Sequence, residues 1–455
     1  MQAATFEQVI TEPIEYLKPS LTVHAPARAF HVSRPDPQWN LATRVAFRFL
    51  FVYFGVFLAA YCLPSLPFGF AFLERYSELW MMPGTWVGHH VLHLSREIPV
   101  SDTSSGDRTA DYLFFLCSLG LSLAATVVWS LLDHKRANYG QLFRWMRFAV
   151  RTGLGATLMV YGAAKLIPSQ MPALFPNQLL QSYGDSSPMA LLWNFMGASR
   201  PYEMFAGSTE LLAAVLLFVP GCATLGALVS IGVMTNVFLL NMCYDVPVKL
   251  FSFHLLLLSF FLVAPDARRL AGLFLLRKDA ELKQDPPLFQ RKKYNRALLA
   301  AQLAFGSVVL ILSLAQSHMI EKMFREMPQQ TPYFGAWSVE EYTIDGKLRP
   351  PLLTDESRWQ RVSFQMPQHL SIQPMVGQRQ AFSLALDKNE KTMVLSKEGR
   401  QKANFSFDNP QPDLLVLTGE MEGHEVSARL RRIDQSKLLL TSRGFHWINE
   451  FPYNR

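Results

Sequence analysis

The chain has 455 residues and a formal net charge of +7, with 50% hydrophobic and 17% charged residues. This length predicts two or three folding units rather than one domain. The composition is hydrophobic for a soluble protein but low for a pure transporter, so a membrane part joined to a soluble part fits it best. Nucleic acid is excluded as a partner, because the basic residues lie in loops beside apolar segments, as orientation signals do.

The four cysteines are too few and too scattered for a disulfide framework or a zinc site. Residues 1–40 are polar and contain proline, and they lack the short apolar core and cleavage site of a secretory signal. They are predicted to form an uncleaved N-terminal leader in the cytoplasm.

Seven apolar runs have about the length needed to cross the hydrocarbon core of a bilayer. They are predicted at residues 41–66, 112–132, 148–167, 202–219, 223–242, 248–264 and 297–314. The segment between the first two runs, 67–109, is too polar to span and is predicted to be an extramembrane excursion, part of it an interfacial helix.

Lysine and arginine are concentrated in two loops, at residues 133–147 and 265–296. Loops of this kind remain in the cytoplasm, so both are predicted to lie inside. Counting spans from these loops places the N-terminus inside and everything after the seventh span outside. The predicted location is a bacterial inner membrane, with the lipid bilayer as a partner and the C-terminal domain in the periplasm.

Residues 329–455 change to short alternating runs divided by Gly, Pro, Asp and Asn, which predicts a soluble all-β domain, a barrel or a sandwich. Its strands are expected at residues 336–344, 361–365, 381–386, 404–407, 414–419 and 426–430. The motif Gly335-Ala-Trp337, with a late basic residue such as Arg443, resembles the first strand of lipocalins and the arginine that packs on its tryptophan. The aromatic C-terminal tail is expected to pack on the bundle or on the barrel mouth.

Ionisable and amide side chains interrupt the third to sixth apolar runs at similar depth. They are Lys165, Glu203, Glu210, Asn236, Asn241, Lys249 and His254. Charged groups inside a bilayer are costly and mark a cavity or a partner, so these residues predict a polar pocket that faces the periplasm.

Structural explanations compete with this pocket. An ion pair between Lys165 and Glu210 would hold two helices together, and Asn236 would form a hydrogen bond to a neighbouring helix. Glu203 and Lys249 lie near the predicted interface, where solvated helix ends are common.

A weak metal-site candidate lies in the excursion. His89 and His93 are four residues apart and would share one face of a helix. Two imidazoles at this spacing bind a metal when a third ligand completes the shell, but the sequence defines no third ligand.

The polar residues also carry a resemblance to a known family. Tyr161-Gly-Ala-Ala-Lys165-Leu, Glu203 and Glu210, Gly226-Ala with Asn236, and Pro247-Val-Lys249 resemble the DoxX family of four-helix membrane proteins. The resemblance implies that Lys165, Glu210, Asn236 and Lys249 line a pocket. It also implies an association with quinone-linked or thiol redox chemistry, although the paired cysteines of a thiol-handling relative are missing.

The predicted fold is thus a polytopic α-helical membrane protein with about seven transmembrane helices, a DoxX-like bundle and a C-terminal β-domain. The predicted units are the leader at 1–40, flanking spans at 41–147 with the excursion at 67–109, the bundle at 148–276, a basic cytoplasmic linker at 277–296, the seventh helix with its extension at 297–328 and the β-domain at 329–455.

Two functions remain open. In the first, the pocket binds a quinone or a similar lipid-soluble carrier, Lys165 or His254 hydrogen-bonds a carbonyl oxygen and Glu210 relays a proton. In the second, the protein is a non-enzymatic scaffold or assembly factor that captures a periplasmic or membrane protein partner through the β-domain. A transporter is the weakest alternative, because the charges collect on one side and no repeat is evident.

Overall fold

The structure, a computed structural model, describes residues 38–63, 81–94, 98, 105–277 and 287–454. Almost all of the predicted leader and much of the predicted excursion and basic linker lie outside these residues. Within them, a helical bundle is followed by an antiparallel β-barrel.

Nine helices of eight or more residues are described over their whole length. They are α1 (Leu41–Phe57, continued by the π-helical turn Leu58–Cys62), α2 (Thr109–Leu132), α3 (Gly140–Leu166), α4 (Pro188–Gly197), α5 (Arg200–Phe218), α6 (Ala223–Cys243), α7 (Lys249–Val263), α8 (Ala267–Phe274) and α9 (Lys292–Gln330). Residues 81–90 are also helical and pack with Gly84 against the start of α2.

Five of the described helical stretches are long and apolar enough to cross a membrane. They are Leu41–Cys62, Thr109–Leu132, Ala223–Cys243, Lys249–Phe274 and Lys292–Gln330. The third and fourth predicted spans also form helices, α3 and α5, but they are not among these five. Both carry buried ionisable side chains, Lys165 in α3 and Glu203 and Glu210 in α5, so the count of seven spans stays a prediction.

Helices α3 and α5 approach each other closely through two glycines. A Cβ atom at Gly207 would collide with backbone atoms of α3, and one at Gly162 would lie 3.0 Å from the backbone nitrogen of Leu211 in α5. Only glycine permits such an approach, as in other close helix pairs. Because α5 runs antiparallel to α3, the end of α3 at Leu166 meets the first half of α5.

The opposite end of the bundle is fixed by a buried arginine. The guanidinium group of Arg48 in α1 donates to the Tyr139 hydroxyl (2.8 and 3.0 Å), to Ser130 Oγ (2.7 Å) and to the Asp133 carbonyl (2.8 Å). A buried charge is tolerated only when it is hydrogen-bonded in this way. The contact ties α1 to the turn between α2 and α3.

The β-domain consists of nine strands joined as a meander. They are β1 (Gly335–Ile344), β2 (Lys347–Leu348), β3 (Trp359–Met366), β4 (His369–Pro374), β5 (Gln380–Asp387), β6 (Thr392–Lys397), β7 (Arg400–Gln411), β8 (Leu414–Met421) and β9 (His424–Arg432). Strand β9 pairs antiparallel with β1, for example Trp337 with Arg432, and this pairing closes the sheet. Apart from the short β2, eight strands form a closed antiparallel barrel, one of the two predicted forms.

Apolar side chains fill the barrel interior, among them the fully buried Trp337, Phe364 and Phe405. Arg443 was expected to be the basic residue at the first strand. The structure places Arg432 there instead. The Arg432 side chain lies 3.3 Å from the position of a Cβ atom at Gly335, and its guanidinium donates to the Phe334 carbonyl (2.9 Å). Arg443 stacks on Tyr453 instead, at 4.1 Å from the ring centroid.

The expectation that the C-terminal tail packs on the rest of the molecule is wrong. Its aromatic residues, including Phe445, Trp447 and Phe451, are exposed. The tail leaves the barrel at the end of β9.

Candidate functional site

A cavity of about 300 Å³ lies among α3 to α7, at the end of the bundle that carries the barrel. Most of its wall is apolar or aromatic. The predicted site residues that line it are Lys165, Glu210, Asn236 and Asn241. The structure therefore brings together side chains from α3, α5 and α6.

An ion pair forms one polar part of this wall. Lys165 Nζ donates to Glu210 Oε1 at 2.8 Å and to Oε2 at 3.1 Å, and both side chains are buried. The pair is held by the close approach of α3 and α5 at Gly162 and Gly207, which lie one turn before the two charged residues. Lys165 also lies 5.8 Å from the centroid of the Tyr161 ring, one helical turn away.

Two asparagines of α6 contribute carboxamide groups on another side of the cavity. Asn241 is buried and donates from Nδ2 to Ser252 Oγ of α7 at 3.0 Å. Asn236 lies on an exposed part of the helix, where it lines the cavity at its margin. Among the described residues that line the cavity, Lys165 and Glu210 are the only charged ones.

The segment between the third and fourth predicted spans supplies a further wall of the cavity. Helix α4 contributes Leu192, Trp193 and Met196. Its start had a sequence signal, because Ser187 before Pro188 is a typical helix N-cap, and Ser187 Oγ accepts from the Ala190 backbone N–H at 3.1 Å.

Glu203 is fully buried but does not line the cavity. Its Oε1 accepts from the backbone N–H of Met171 at 3.1 Å, which ties α5 to the segment after α3. Its other oxygen, Oε2, is buried and has no hydrogen-bond partner within the described residues. The expectation of a solvated helix end is therefore wrong for Glu203.

His254 lies on the other side of α7, away from the cavity. Its Nε2 is 2.7 Å from the Tyr53 hydroxyl of α1, and its Nδ1 is 2.7 Å from the Leu250 carbonyl. The ring is stacked between Phe115 (4.2 Å between centroids) and Phe57 (4.9 Å). His254 joins α7 to α1 and α2.

Lys249 is placed at the start of α7, outside the cavity. Its Nζ is 2.8 Å from Asp245 Oδ1 and 3.7 Å from Asp107 Oδ2. Asp107 also accepts the backbone N–H groups of Lys249 and Leu250 at 2.8 and 2.9 Å, so a distant acidic residue caps this helix. This cap could not be predicted from local sequence, because 142 residues separate the two partners.

The histidines of the weak metal candidate do not form a metal site in the described part of the chain. The helix that carries His89 ends at His90, and His93 lies beyond it with a φ of +52°. His89 and His93 therefore do not share a helical face. No group of three or more His, Cys, Asp or Glu side chains placed to hold a metal ion is found among the described residues.

The cavity borders the outer surface of the bundle between α5 and α6. Tyr202, Phe205 and Gly232 line it and are exposed. A site with these properties is suited to an amphipathic molecule, because an apolar body contacts the aromatic wall and a polar group meets Lys165 or a carboxamide.

Comparisons with known proteins give one relative. No family model matches the chain, and no solved structure matches it. The chain is 35% identical over 137 residues to the uncharacterized protein YwoB of Bacillus subtilis (strain 168), a match that covers 28% of this chain and 87% of YwoB. The name of that relative states no ligand and no activity. Because the match covers most of YwoB, the chain belongs to the same family as this Bacillus protein.

Proposed function

We propose that this chain is an integral protein of a bacterial inner membrane whose helical bundle binds a quinone or another lipid-soluble carrier in the cavity beside Lys165. In this proposal, α1, α2, α3, α5, α6, α7 and α9 provide seven spans, the N-terminus is cytoplasmic and the barrel lies in the periplasm. Five helical stretches that are long and apolar enough to cross a membrane support the membrane setting.

The observation that carries the proposal is an ion pair in the wall of a mostly apolar cavity. The hydrogen bonds to Glu210 use at most two of the three N–H donors of the Lys165 ammonium group. A remaining donor is available to a carbonyl oxygen of a bound molecule. Glu210 is then placed to exchange a proton with Lys165 beside the carbonyl oxygen of the bound molecule.

The rest of the wall fits a flat ring with an apolar tail. Tyr161, Trp193 and Phe251 supply aromatic surface, and the carboxamide of Asn236 supplies a further donor. The exposed Phe205 and Gly232 lie where the cavity reaches the surface of the bundle that the bilayer would cover. A ligand dissolved in the lipid is thereby given a route that avoids water.

The redox association rests on the resemblance to the DoxX family. Lys165 and Glu210, two of the residues that carry the resemblance, are in contact, and both line the cavity. Lys249 and His254 lie outside the cavity, so in this proposal the hydrogen bond to a carbonyl oxygen comes from Lys165 and not from His254.

Lipid-extract mass spectrometry on the detergent-purified protein tests the proposal. Wild type is compared with Lys165→Met and Glu210→Gln, which remove the charges but keep similar side-chain volumes. We expect a quinone or another small lipid-soluble molecule to copurify with wild type and to be lost from Lys165→Met.

Ser259→Ala is the matched control, because it removes a buried hydrogen bond (2.7 Å to Ser230) between α6 and α7 that does not line the cavity. It should retain the ligand. If wild type retains no small molecule, and Lys165→Met and Glu210→Gln merely unfold at lower temperature, the ion pair is structural and the proposal fails.

The second candidate function is a scaffold or assembly factor, and a polar cleft at the junction of the two domains favours it. The cleft has a volume of about 680 Å³ and lies between residues 177–185 and the barrel strands β3 and β4. Arg361 in its wall donates to the Leu180 carbonyl at 2.8 Å, which fixes the barrel to the bundle. Arg379 is exposed at its margin.

Copurification from solubilised membranes tests the scaffold function. Arg379→Glu reverses a charge in the cleft, and Arg400→Glu makes the same change at an exposed position elsewhere on the barrel. A partner bound in the cleft should be lost from Arg379→Glu and kept by Arg400→Glu. If wild type, Arg379→Glu and Arg400→Glu all recover the same partners in equal amounts, the cleft is not the site at which a partner binds.

A further inference from the structure

The last part of the chain exposes a dense set of apolar side chains. After β9, a short helix (Leu439–Ser442) presents Leu440 outward, and the tail that follows exposes Trp447 by 90% and Phe451 by 82%. Phe445 packs edge to face on Trp447, with 5.0 Å between the ring centroids. Large apolar side chains rarely collect on a water-covered surface in such number, so the tail has the character of a binding surface.

The tail starts at the end of the barrel that meets the bundle. Arg432, the last residue of β9, is hydrogen-bonded to the Phe334 carbonyl, four residues after the end of α9. Gln435 lines a cavity of about 280 Å³ together with Arg200 at the start of α5 and Glu321 of α9. The exposed segment therefore begins within a few residues of the helix ends.

The composition of the tail is that of a membrane–water interface. Tryptophan, tyrosine and phenylalanine are enriched at this level because their rings are apolar and their polar edges remain hydrated. Arg443 stacks on Tyr453 and places a guanidinium group beside the aromatic cluster, where lipid phosphates are attractive partners.

We propose that residues 439–454 form an interfacial anchor, which lies on the outer surface of the bilayer with its aromatic side chains at the boundary between headgroups and acyl chains. This inference rests on the proposed membrane insertion of the bundle. The partner is the lipid surface and not another protein, because Gln435, a few residues before the tail, lines a cavity with Arg200 and Glu321, and this ion pair (3.0 Å) lies where α5 begins, at the level at which the proposed bilayer ends. The anchor fixes the barrel against the membrane.

Quenching of tryptophan fluorescence by brominated lipids tests the anchor. The full chain is reconstituted into nanodiscs of phosphatidylethanolamine and phosphatidylglycerol that carry bromine either close to the headgroups or near the middle of the bilayer. The difference between wild type and Trp447→Phe isolates the signal of Trp447. We expect this signal to be shifted to shorter wavelength and to lose most of its intensity with the shallow bromines, but much less with the deep ones.

A second variant tests the anchor without a substitution at Trp447 itself. With Leu440, Phe445, Ile448 and Phe451 all replaced by serine, Trp447 should regain the emission of a water-exposed indole. Trypsin should also cleave after Arg443 faster in this variant than in wild type.

The outcomes separate the two proposals. A protein that is removed from membranes by alkaline carbonate refutes the membrane insertion itself. A protein that stays in the nanodisc but shows a Trp447 signal unaffected by either bromine refutes the anchor alone. A signal that is shifted to shorter wavelength yet unquenched would place the tail against a second protein or a second copy, and this also refutes the anchor.

Discussion

The ion pair between Lys165 and Glu210 gives the sharpest prediction for the bundle. The change is Lys165→Met, which keeps the length of the side chain and removes its charge. The Glu210 carboxylate, only 3% exposed, would then lose the partner that now lies at 2.8 Å. Removing one member of a buried ion pair costs about 3–5 kcal/mol, because the remaining charge is left without compensation.

The double variant Lys165→Met/Glu210→Leu separates charge from packing. Replacing both members of a buried pair by apolar side chains is often neutral or stabilising, so most of the lost stability should return. Ordinary hydrogen bonds between membrane helices contribute about 0.6 kcal/mol on average, so a loss of several kcal/mol identifies an uncompensated charge.

The assay is equilibrium unfolding in mixed micelles as the fraction of dodecyl sulfate rises, followed by far-ultraviolet circular dichroism. Ser259→Ala again serves as the control and should lose far less stability than Lys165→Met. If Lys165→Met is as stable as wild type, the pair is not buried as the structure shows it. A double variant as unstable as the single one would show that the loss comes from packing and not from charge.

Three further predictions use the same unfolding and thermal assays on the full chain. Gly207→Ala should destabilise the bundle by about 1–3 kcal/mol, because its Cβ would collide with the backbone of α3, whereas Gly120→Ala, with open space around its Cβ position, should not destabilise it. Phe364→Ala should cost about 3–5 kcal/mol in the barrel, where this side chain is fully buried, and an unchanged melting temperature would contradict the filled interior. Hydrogen bonds from Ser357 hold the pKa of Asp355 below its ordinary value, so this carboxylate stabilises the fold above its ordinary pKa and the effect is lost as pH falls through the lowered value. The stability difference between wild type and Asp355→Asn should therefore shrink in acid, and a difference that grows there would reverse the sign of this argument.

The barrel could be predicted in outline because alternation of side chains is a local property. All six predicted strands lie within observed ones. Strands β4 and β6 have six residues each and were not predicted, although His369-Leu-Ser-Ile-Gln-Pro374 also alternates. The choice between a barrel and a sandwich depends on the pairing of β1 with β9, and these strands are about 90 residues apart in sequence, for example Ser338 and Arg431.

The position of each polar residue along its helix could be predicted from the sequence, but the direction in which its side chain points could not. Spans and charged loops fix how far along its helix each polar residue lies, and this was enough to bring Lys165 and Glu210 together. The direction in which a side chain points depends on which neighbour packs on each face. Ser252 and His254 are two residues apart, hence about 200° apart around the helix. Ser252 bonds Asn241 at the cavity, and His254 bonds Tyr53 of α1 on the far side.

The two faces of α7 explain why the cavity has its opening between α5 and α6. On one face, His254 is stacked between Phe57 of α1 and Phe115 of α2, and Asp107 ties the start of the helix to the segment before α2. Helices α1 and α2 thus cover that side of α7. On the other face the cavity is bordered by exposed residues of α5 and α6, such as Phe205 and Gly232. Under the proposed function, a ligand enters the cavity from the lipid phase between α5 and α6, and α1 and α2 block access to the ion pair from the opposite side.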